Sequence, residues 1–570
     1  MTRPHFQFWP RRMPHNITSP QTSLWYNLEV SARRYPDKDA IIFYGRHTTF
    51  RELHDDAVAV AGWLQQVAGV QKGDRVLLYM QNCPQFMAAY YGILRADAVV
   101  VPVNPMNRPE EFKHYITDAG ASTVICSADL AVNVTTSNAE LPEAQRTKHL
   151  LVTSYADALP ATYEYPEDAP PAWITAEHPP QPGAVAWNDV IAQRLVPGPH
   201  TAGPDDLAVM PYTSGTTGFP KGCMHPHRTV MHNIVGGSMW SNGTKEGVSL
   251  SIIPLFHVTG MQYGMNAPIY MGSTVVMLPR WDREVAGRLI SRYKITHWTN
   301  IPTMVIDFLA SPQLAEFDLS SLAYIGGGGA AMPQAVAERL LKDFNLAYQE
   351  GYGLSETIAP THSNPADRAK QQCLGIPVFN TDARIVDPQT LQELPIGEVG
   401  EIIVSGPQVF LGYWGKPQAT AEVFIEFEGK TFFRTGDLGK MDEDGYFFLT
   451  DRLKRMINAS GFKVWPAEVE AMLYGHPAVQ EACVIAAHDP HQRARIHGRR
   501  RVQPRDVQEG RCQVQQGDEL VAHLGLPARH PHQSGRVVDV VVHGRALVVQ
   551  AVGAGELSVI GAKHDDRVIG

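Results

Sequence analysis

Short apolar runs alternate with amphipathic stretches along most of the chain. DRVLLYMQN (74–82), VVVPVNP (99–105), STVICS (122–127) and HLLVTS (149–154) read as short buried strands. PQFMAAYYGILRADA (84–98) has helical spacing between the first two. Strands that alternate with helices predict βαβ units and a largely parallel sheet. The Pro- and acid-rich stretch 155–205 predicts a surface loop. The theme returns in GVSLSIIPLFH, STVVMLPRW and ITHWTNIPTMVIDFLA, the first two of which bracket a Gly- and Met-rich stretch. From about 382, ARIVDPQTLQELPIGEVGEIIVSG has the short strands and turn punctuation of an antiparallel or barrel-like piece. Near 451 the pattern turns sharply charged, which marks a boundary. The expected fold class is α/β: a large domain over 1–453 with parallel sheets, flanking helices and a small β-barrel-like piece, then a small α+β domain beginning at 454.

Composition narrows the function. A net charge of -9 argues against a nucleic-acid binder, whose phosphate contacts need clustered Lys and Arg. The six cysteines (83, 126, 223, 373, 483, 512) form no CxxC pair, so neither a disulfide framework nor a zinc site is expected. Reduced thiols fit a cytoplasmic protein. No window approaches the roughly 18 apolar residues of a membrane span, so at most peripheral membrane association is expected.

The chemistry concentrates in YTSGTTGFPKG (212–222). Its glycines free the backbone to turn successive N–H groups toward one point, an anion-binding concavity. Thr213, Ser214, Thr216 and Thr217 add hydroxyls and Lys221 adds a mobile positive charge, so the implied ligand is a polyphosphate. The stretch is no Walker A loop, because proline precedes the lysine and glycine follows it.

Further motifs follow in order: PLFHVTGM (254–261), GGGGA (326–330), GYGLSET (351–357), GEIIVSGPQVFLGYW (400–414) and RTGDLGKMDEDGYFFLTDRLKRMINASGFKVWPAEVE (434–470). Together with the Gly-rich loop they resemble the acyl-adenylate-forming, AMP-binding superfamily, most nearly the bacterial long- or medium-chain fatty acyl-CoA synthetases. The resemblance implies an acid–thiol ligase. ATP and a carboxylic acid give acyl-AMP and pyrophosphate, and coenzyme A then takes the acyl group. Aryl or branched acids are the alternative substrates. By the same resemblance Thr213, Ser214, Gly215, Thr216, Thr217, Gly218 and Lys221 hold the phosphates. Glu356 ligates Mg²⁺, with Ser355 and Thr357 near the α-phosphate. Gly327, Gly328 and Gly329 let the backbone approach the adenine and acyl chain, and Tyr352 stacks on the base. Asp437 and Arg452 hold the ribose, His257 orients the carboxylate, and Lys454 is the hinge. The Gly- and Met-rich stretch near 260–272 is expected to line an apolar acyl pocket.

The resemblance holds through 476–490 and stops. Residues 475–570 contain no Phe, Tyr, Trp, Met, Asn or Thr, and Lys563 is their only lysine. The family's C-terminal active-site lysine is not found there. Residues 454–490 are expected to begin the small C-terminal domain, and two readings are open for the anomalous tail 491–570: a reading-frame shift near residue 490, or a divergent tail that is disordered or has a binding role. Either one implies impaired adenylation, down to a protein that binds nucleotide or acyl group without turnover.

Overall fold

The computed structural model describes residues 3–213 and 219–453, and beyond these the backbone of strands lying between 457 and 549. The chain divides into two compact units. One comprises Met1–Arg384, Ile403–Thr435 and Met441–Phe448; the other comprises Ile385–Ile402, Gly436–Lys440 and Leu449–Gly570.

The first unit is built on two largely parallel sheets. In the seven-stranded sheet, Arg75–Tyr79 pairs in parallel with Val99–Pro102 on one side and with Thr123–Ser127 on the other. His149–Thr153 and Ala184–Ala186 extend it in parallel, and His225–Pro226 closes one edge antiparallel to Leu207–Val209. The nine-stranded sheet runs parallel through Asp39–Phe43, Thr274–Met277, Val248–Ser251, His297–Asn300, Tyr324–Gly327 and Tyr348–Leu354. It turns antiparallel at Ala359–Ser363.

Period-two alternation decides where each strand sends its side chains. Val76 and Leu78 join one core and Leu77 and Tyr79 another. Ile41 and Phe43 enter the same core as Val76, whereas Ile42 enters a third. The largest core therefore lies between the two sheets, filled by the Phe50–Gln66 and Pro84–Arg95 helices, and helices cover both outer faces. Continuous apolar strands such as VVVP are what such doubly covered sheets require.

The 155–205 stretch is more ordered than a loop. It contributes the edge strand Ala184–Ala186 and the helix Trp187–Gln193. Its buried Ile174, Trp187 and Val190 supply the apolar area, and Asp168 pairs with Arg288 and Arg292. The proline count hid these anchors. Later in the same unit, Phe424–Phe427 folds back antiparallel on the start of the strand that begins at Lys430.

In the second unit Ala482–His488 pairs antiparallel with Ala494–Arg500. Lys454, and the tail from 491 apart from its strand backbone, lie outside the described residues. Among the described residues no helix is long and apolar enough to cross a membrane. Cys83, Cys126, Cys223 and Cys373 are buried and free.

Candidate active site

The Gly-rich loop is held at its stem. Tyr212–Thr213 pairs antiparallel with Lys221–Gly222, and residues 214–218 between them lie outside the described residues. A Cβ on Gly222 would stand 2.9 Å from the Met210 side chain, so the stem packs too closely for any larger residue. The stem is then stitched to the GYW segment: Met224 N donates to the Gly412 carbonyl at 3.0 Å and Trp414 N to that of Gly222 at 2.8 Å.

Helix Pro109–Ala119 clamps the same stem from outside. Asp118 accepts from the Tyr212 hydroxyl at 2.9 Å and from Lys416 Nζ at 2.8 Å, while its carbonyl accepts from Trp414 Nε1 at 3.1 Å. His114 donates from Nε2 to the Pro220 carbonyl at 2.7 Å and stacks on Phe219.

Tyr413 links this stem to the second motif. Lys221 Nζ sits 4.9 Å from the centre of the Tyr413 ring, a cation–π distance. The Tyr413 hydroxyl donates to Glu356 Oε1 at 2.8 Å. Burial, followed by the nearby Glu356 carboxylate, pushes the phenol's pKa up, so it stays a donor. Glu356 is itself buried, and its carbonyl accepts from Phe410 N at 2.9 Å.

The Ser355–Thr357 turn around that carboxylate is fixed from beneath by the helix His227–Trp240 and the residues that precede it. His225 donates from Nε2 to the Ser355 carbonyl at 2.7 Å. Burial lowers its pKa to about 4, so it is a neutral single donor there. Asn233 Nδ2 reaches the carbonyls of Thr357 and Ile358 at 3.0 and 2.9 Å. Thr357 is fully buried, and its hydroxyl accepts from Leu354 N at 2.9 Å and donates to the Ala359 carbonyl at 2.8 Å. Immediately after the turn, Ile358 and Ala359 take φ of 45° and 80°. A β-branched residue in the left-handed region is strained and persists only where neighbours over-determine it.

The glycine run is a close-packing device as well as a turn. A Cβ on Gly327 would stand 1.8 Å from the Asn300 carbonyl oxygen, and one on Gly328 would stand 2.4 Å from that of Gly351. Gly329 has φ +88°. The run thus lies flush against the strand that carries Tyr352 and leads to Glu356. His257 is exposed, and desolvation lowers its pKa. Its Nδ1 accepts from Thr259 N at 3.3 Å, which leaves the ring proton on Nε2. Within the second unit, Arg452 Nε lies 3.2 Å from Asp437 Oδ1.

Beside the Ser355–Thr357 turn a narrow slot follows the helix His227–Trp240. Asn233, Gly236, Gly237, Trp240, Tyr263 and Phe379 are among its walls, with Tyr324 and Val378. Its volume is about 30 Å³, room for about one water. No Lys, Arg, Asp or Glu lines it, and His232 is held neutral by burial. The Gly- and Met-rich stretch contributes only Tyr263 among the described lining residues. Met261 and Met265 are fully buried in the central core, on a π-helical segment Gly260–Asn266, and Tyr263 between them packs against the same core while lining the slot.

Tyr413, Asp118, His114, His225 and Asn233 were not singled out by motif reading. Tyr413 lies inside the GYW motif and was open to notice. HRTVMHNIVGGSMW (227–240) buries two His, an Asn and Gly236 within an apolar helix, an anomaly that also points to a site.

Residues 28–414 match the AMP-binding enzyme family. The chain is 36% identical over 504 residues to a long-chain-fatty-acid–CoA ligase of Bacillus subtilis, covering 86% of this chain and 87% of that one. It is 34% identical over 463 residues to a feruloyl-CoA synthase of an Amycolatopsis species, covering 80% and 84%. The crystal structure of ATP-bound MatB from Rhodopseudomonas palustris superposes with a TM-score of 0.73 at 27% identity, covering 88% and 90%. The chain belongs to the AMP-binding enzyme family, whose adenylate-forming fold it shares. It is an AMP-forming acid–CoA ligase with ATP, coenzyme A and a small-molecule acid as substrates.

Proposed function

We propose that the acid is a fatty acid. The observation that carries this reading is the uncharged slot along the His227–Trp240 helix. A second charged group on the acid would be buried there without a partner, which is costly. Its lining residues span about 12 Å of the helix at 1.5 Å per residue, from Asn233, bonded to the Ser355–Thr357 turn, to Ser241, so a tail that opened it would lie along the helix. That shape suits a linear tail better than a ring. Likeness to the Bacillus subtilis ligase adds support.

In this reading the carboxylate attacks the α-phosphorus in line and pyrophosphate leaves, making a mixed anhydride that a thiol can open. Catalysis is then mainly positioning and charge neutralisation. Thr213, Ser214, Gly215, Thr216, Thr217, Gly218 and Lys221 cradle the leaving phosphates. Ser355 and Thr357 border the α-phosphate, Gly327, Gly328, Gly329 and Tyr352 flank the base, and His257 Nε2–H orients the acid. Asp437 and Arg452 engage the ribose, and Lys454 begins the small domain.

Glu356 is the residue suited to hold Mg²⁺, which supplies charge neutralisation at the phosphates when bound. No group of three metal-ligating side chains exists among the described residues. That fits a cation held by one or two carboxylates plus phosphates rather than by a protein cage.

ATP–pyrophosphate exchange across straight-chain, branched and aryl acids tests the reading. Highest kcat/KM with straight-chain acids is expected. A preference for cinnamate- or benzoate-type acids would overturn it.

A further inference from the structure

The N-terminal segment 3–19 runs along the outer side of the slot. Ser19 Oγ lies 3.3 Å from His232 Nδ1. Ile17 Cδ1 lies 3.6 Å from where a Cβ on Gly236 would stand. Trp9 meets Trp240 edge-on at 5.2 Å and Phe379 at 5.5 Å. His232, Gly236 and Trp240 are spaced i, i+4, i+8 and share one helix face, so the segment tracks that face toward the helix C-terminus. These four residues, His232, Gly236, Trp240 and Phe379, all line the slot.

We propose that this N-terminal strap is the movable wall of the acyl slot, with Trp9 the residue that limits which tails the slot admits. The proposal rests on the fatty-acid reading. At about 30 Å³ the slot accepts a tail only when a wall retreats. The opposite flank cannot retreat cheaply, because Met261 and Met265 beside Tyr263 are fixed in the central core. The strap has solvent behind it: Gln7, Arg11, Arg12, Pro14, His15 and Asn16 are exposed. Few ties hold it. Ile17 N donates to Asn380 Oδ1 at 2.8 Å, Arg368 donates to the Gln7 carbonyl at 2.7 Å, and Arg3 pairs with Asp382 at 3.2 Å. Trp9 itself is buried and wedges the Trp240–Phe379 pair, whose rings stand 5.6 Å apart, against the slot. Taking the wedge away lets both rings move outward and lengthens the space for an apolar tail.

The test is kcat/KM for straight-chain acids from six to eighteen carbons, followed by pyrophosphate release, in the full chain and in Trp9→Ala. The ratio of long to short acids should rise by about tenfold in Trp9→Ala, the discrimination one or two methylenes provide in an apolar pocket. KM for ATP should stay unchanged, and Trp9→Phe should keep the parent profile. Ile17→Ala, a milder change at Gly236, should move the ratio the same way and serves if Trp9→Ala does not fold. Profiles that superimpose after scaling by one factor would overturn the strap's role and leave the function intact. A parent chain that activates no straight-chain acid would overturn the function reading, and this inference with it.

Discussion

Tyr413 and Glu356, fifty-seven positions apart, share a 2.8 Å hydrogen bond from phenol to carboxylate inside the protein. The same ring carries Lys221 on its face. One aromatic side chain thus holds the cation of the Gly-rich loop and the carboxylate of the second motif in fixed relation. A conventional scan of charged residues would pass over it.

Replacing Tyr413 by Phe keeps the ring and removes the donor. Loss of a hydrogen bond to a buried carboxylate costs about 1–3 kcal/mol. Part of that should appear as a lower melting temperature and part as a roughly tenfold lower kcat/KM for ATP. Calorimetry and steady-state kinetics on the same preparation check the two parts.

Glu356→Gln preserves shape and removes the charge. Acid-dependent pyrophosphate exchange should fall on the order of 10²–10³-fold, comparable to deleting one preorganised electrostatic group. The dependence of rate on Mg²⁺ should weaken in parallel. Unchanged Mg²⁺ dependence would remove Glu356 from the proposed metal role.

Asp118→Asn reaches the loop from outside. Its carboxylate joins Tyr212 before the loop to Lys416 beyond it. KM for ATP should rise several-fold with a much smaller change in kcat. Equal loss in both would mean that the clamp shapes the transition state as well as the resting loop.

Acid sensitivity has two opposed sources. Burial depresses His5 and His225 to about 4 and His227 and His362 to about 3, below the usual 6.5. Each binds fewer protons folded than unfolded, so stability is full above pH 6.5 and falls as pH drops toward 4. Glu350 is raised to about 7 by burial, against backbone donors that hold it down. It binds more protons folded than unfolded between 4.5 and 7, so its contribution improves as pH falls through that window. Four histidines outweigh one carboxyl, and the melting temperature should drop on acidification below 6.5. Glu350→Gln should be more stable than the parent at pH 8 and lose stability more steeply below pH 7, as thermal melts from pH 4 to 8 would record.

The parallel sheets were legible because their strands are short unbroken apolar runs, VLLY, VVVP and TVICS, with little competing periodicity. The loop stem, the carboxylate turn and the glycine run were legible because their residue types have few other uses together. The helix Trp187–Gln193 was not, since its anchors are scattered among prolines. Of the Gly- and Met-rich stretch expected to line an apolar pocket, Tyr263 lines the slot. Met261 and Met265, on the same π-helical segment, enter the core. The strap escaped notice because Phe8 and Trp9 reach Tyr446, Trp240 and Phe379, more than two hundred positions away, and no local pattern announces that.

The tightness of the slot has a thermodynamic corollary. A chamber that must be pried apart before it fills makes every guest begin at a deficit, and only guests with enough greasy length recover it. Affinity should therefore climb with carbon number from a weak start rather than evenly, and calorimetric titrations should show heat-capacity drops that grow with tail length.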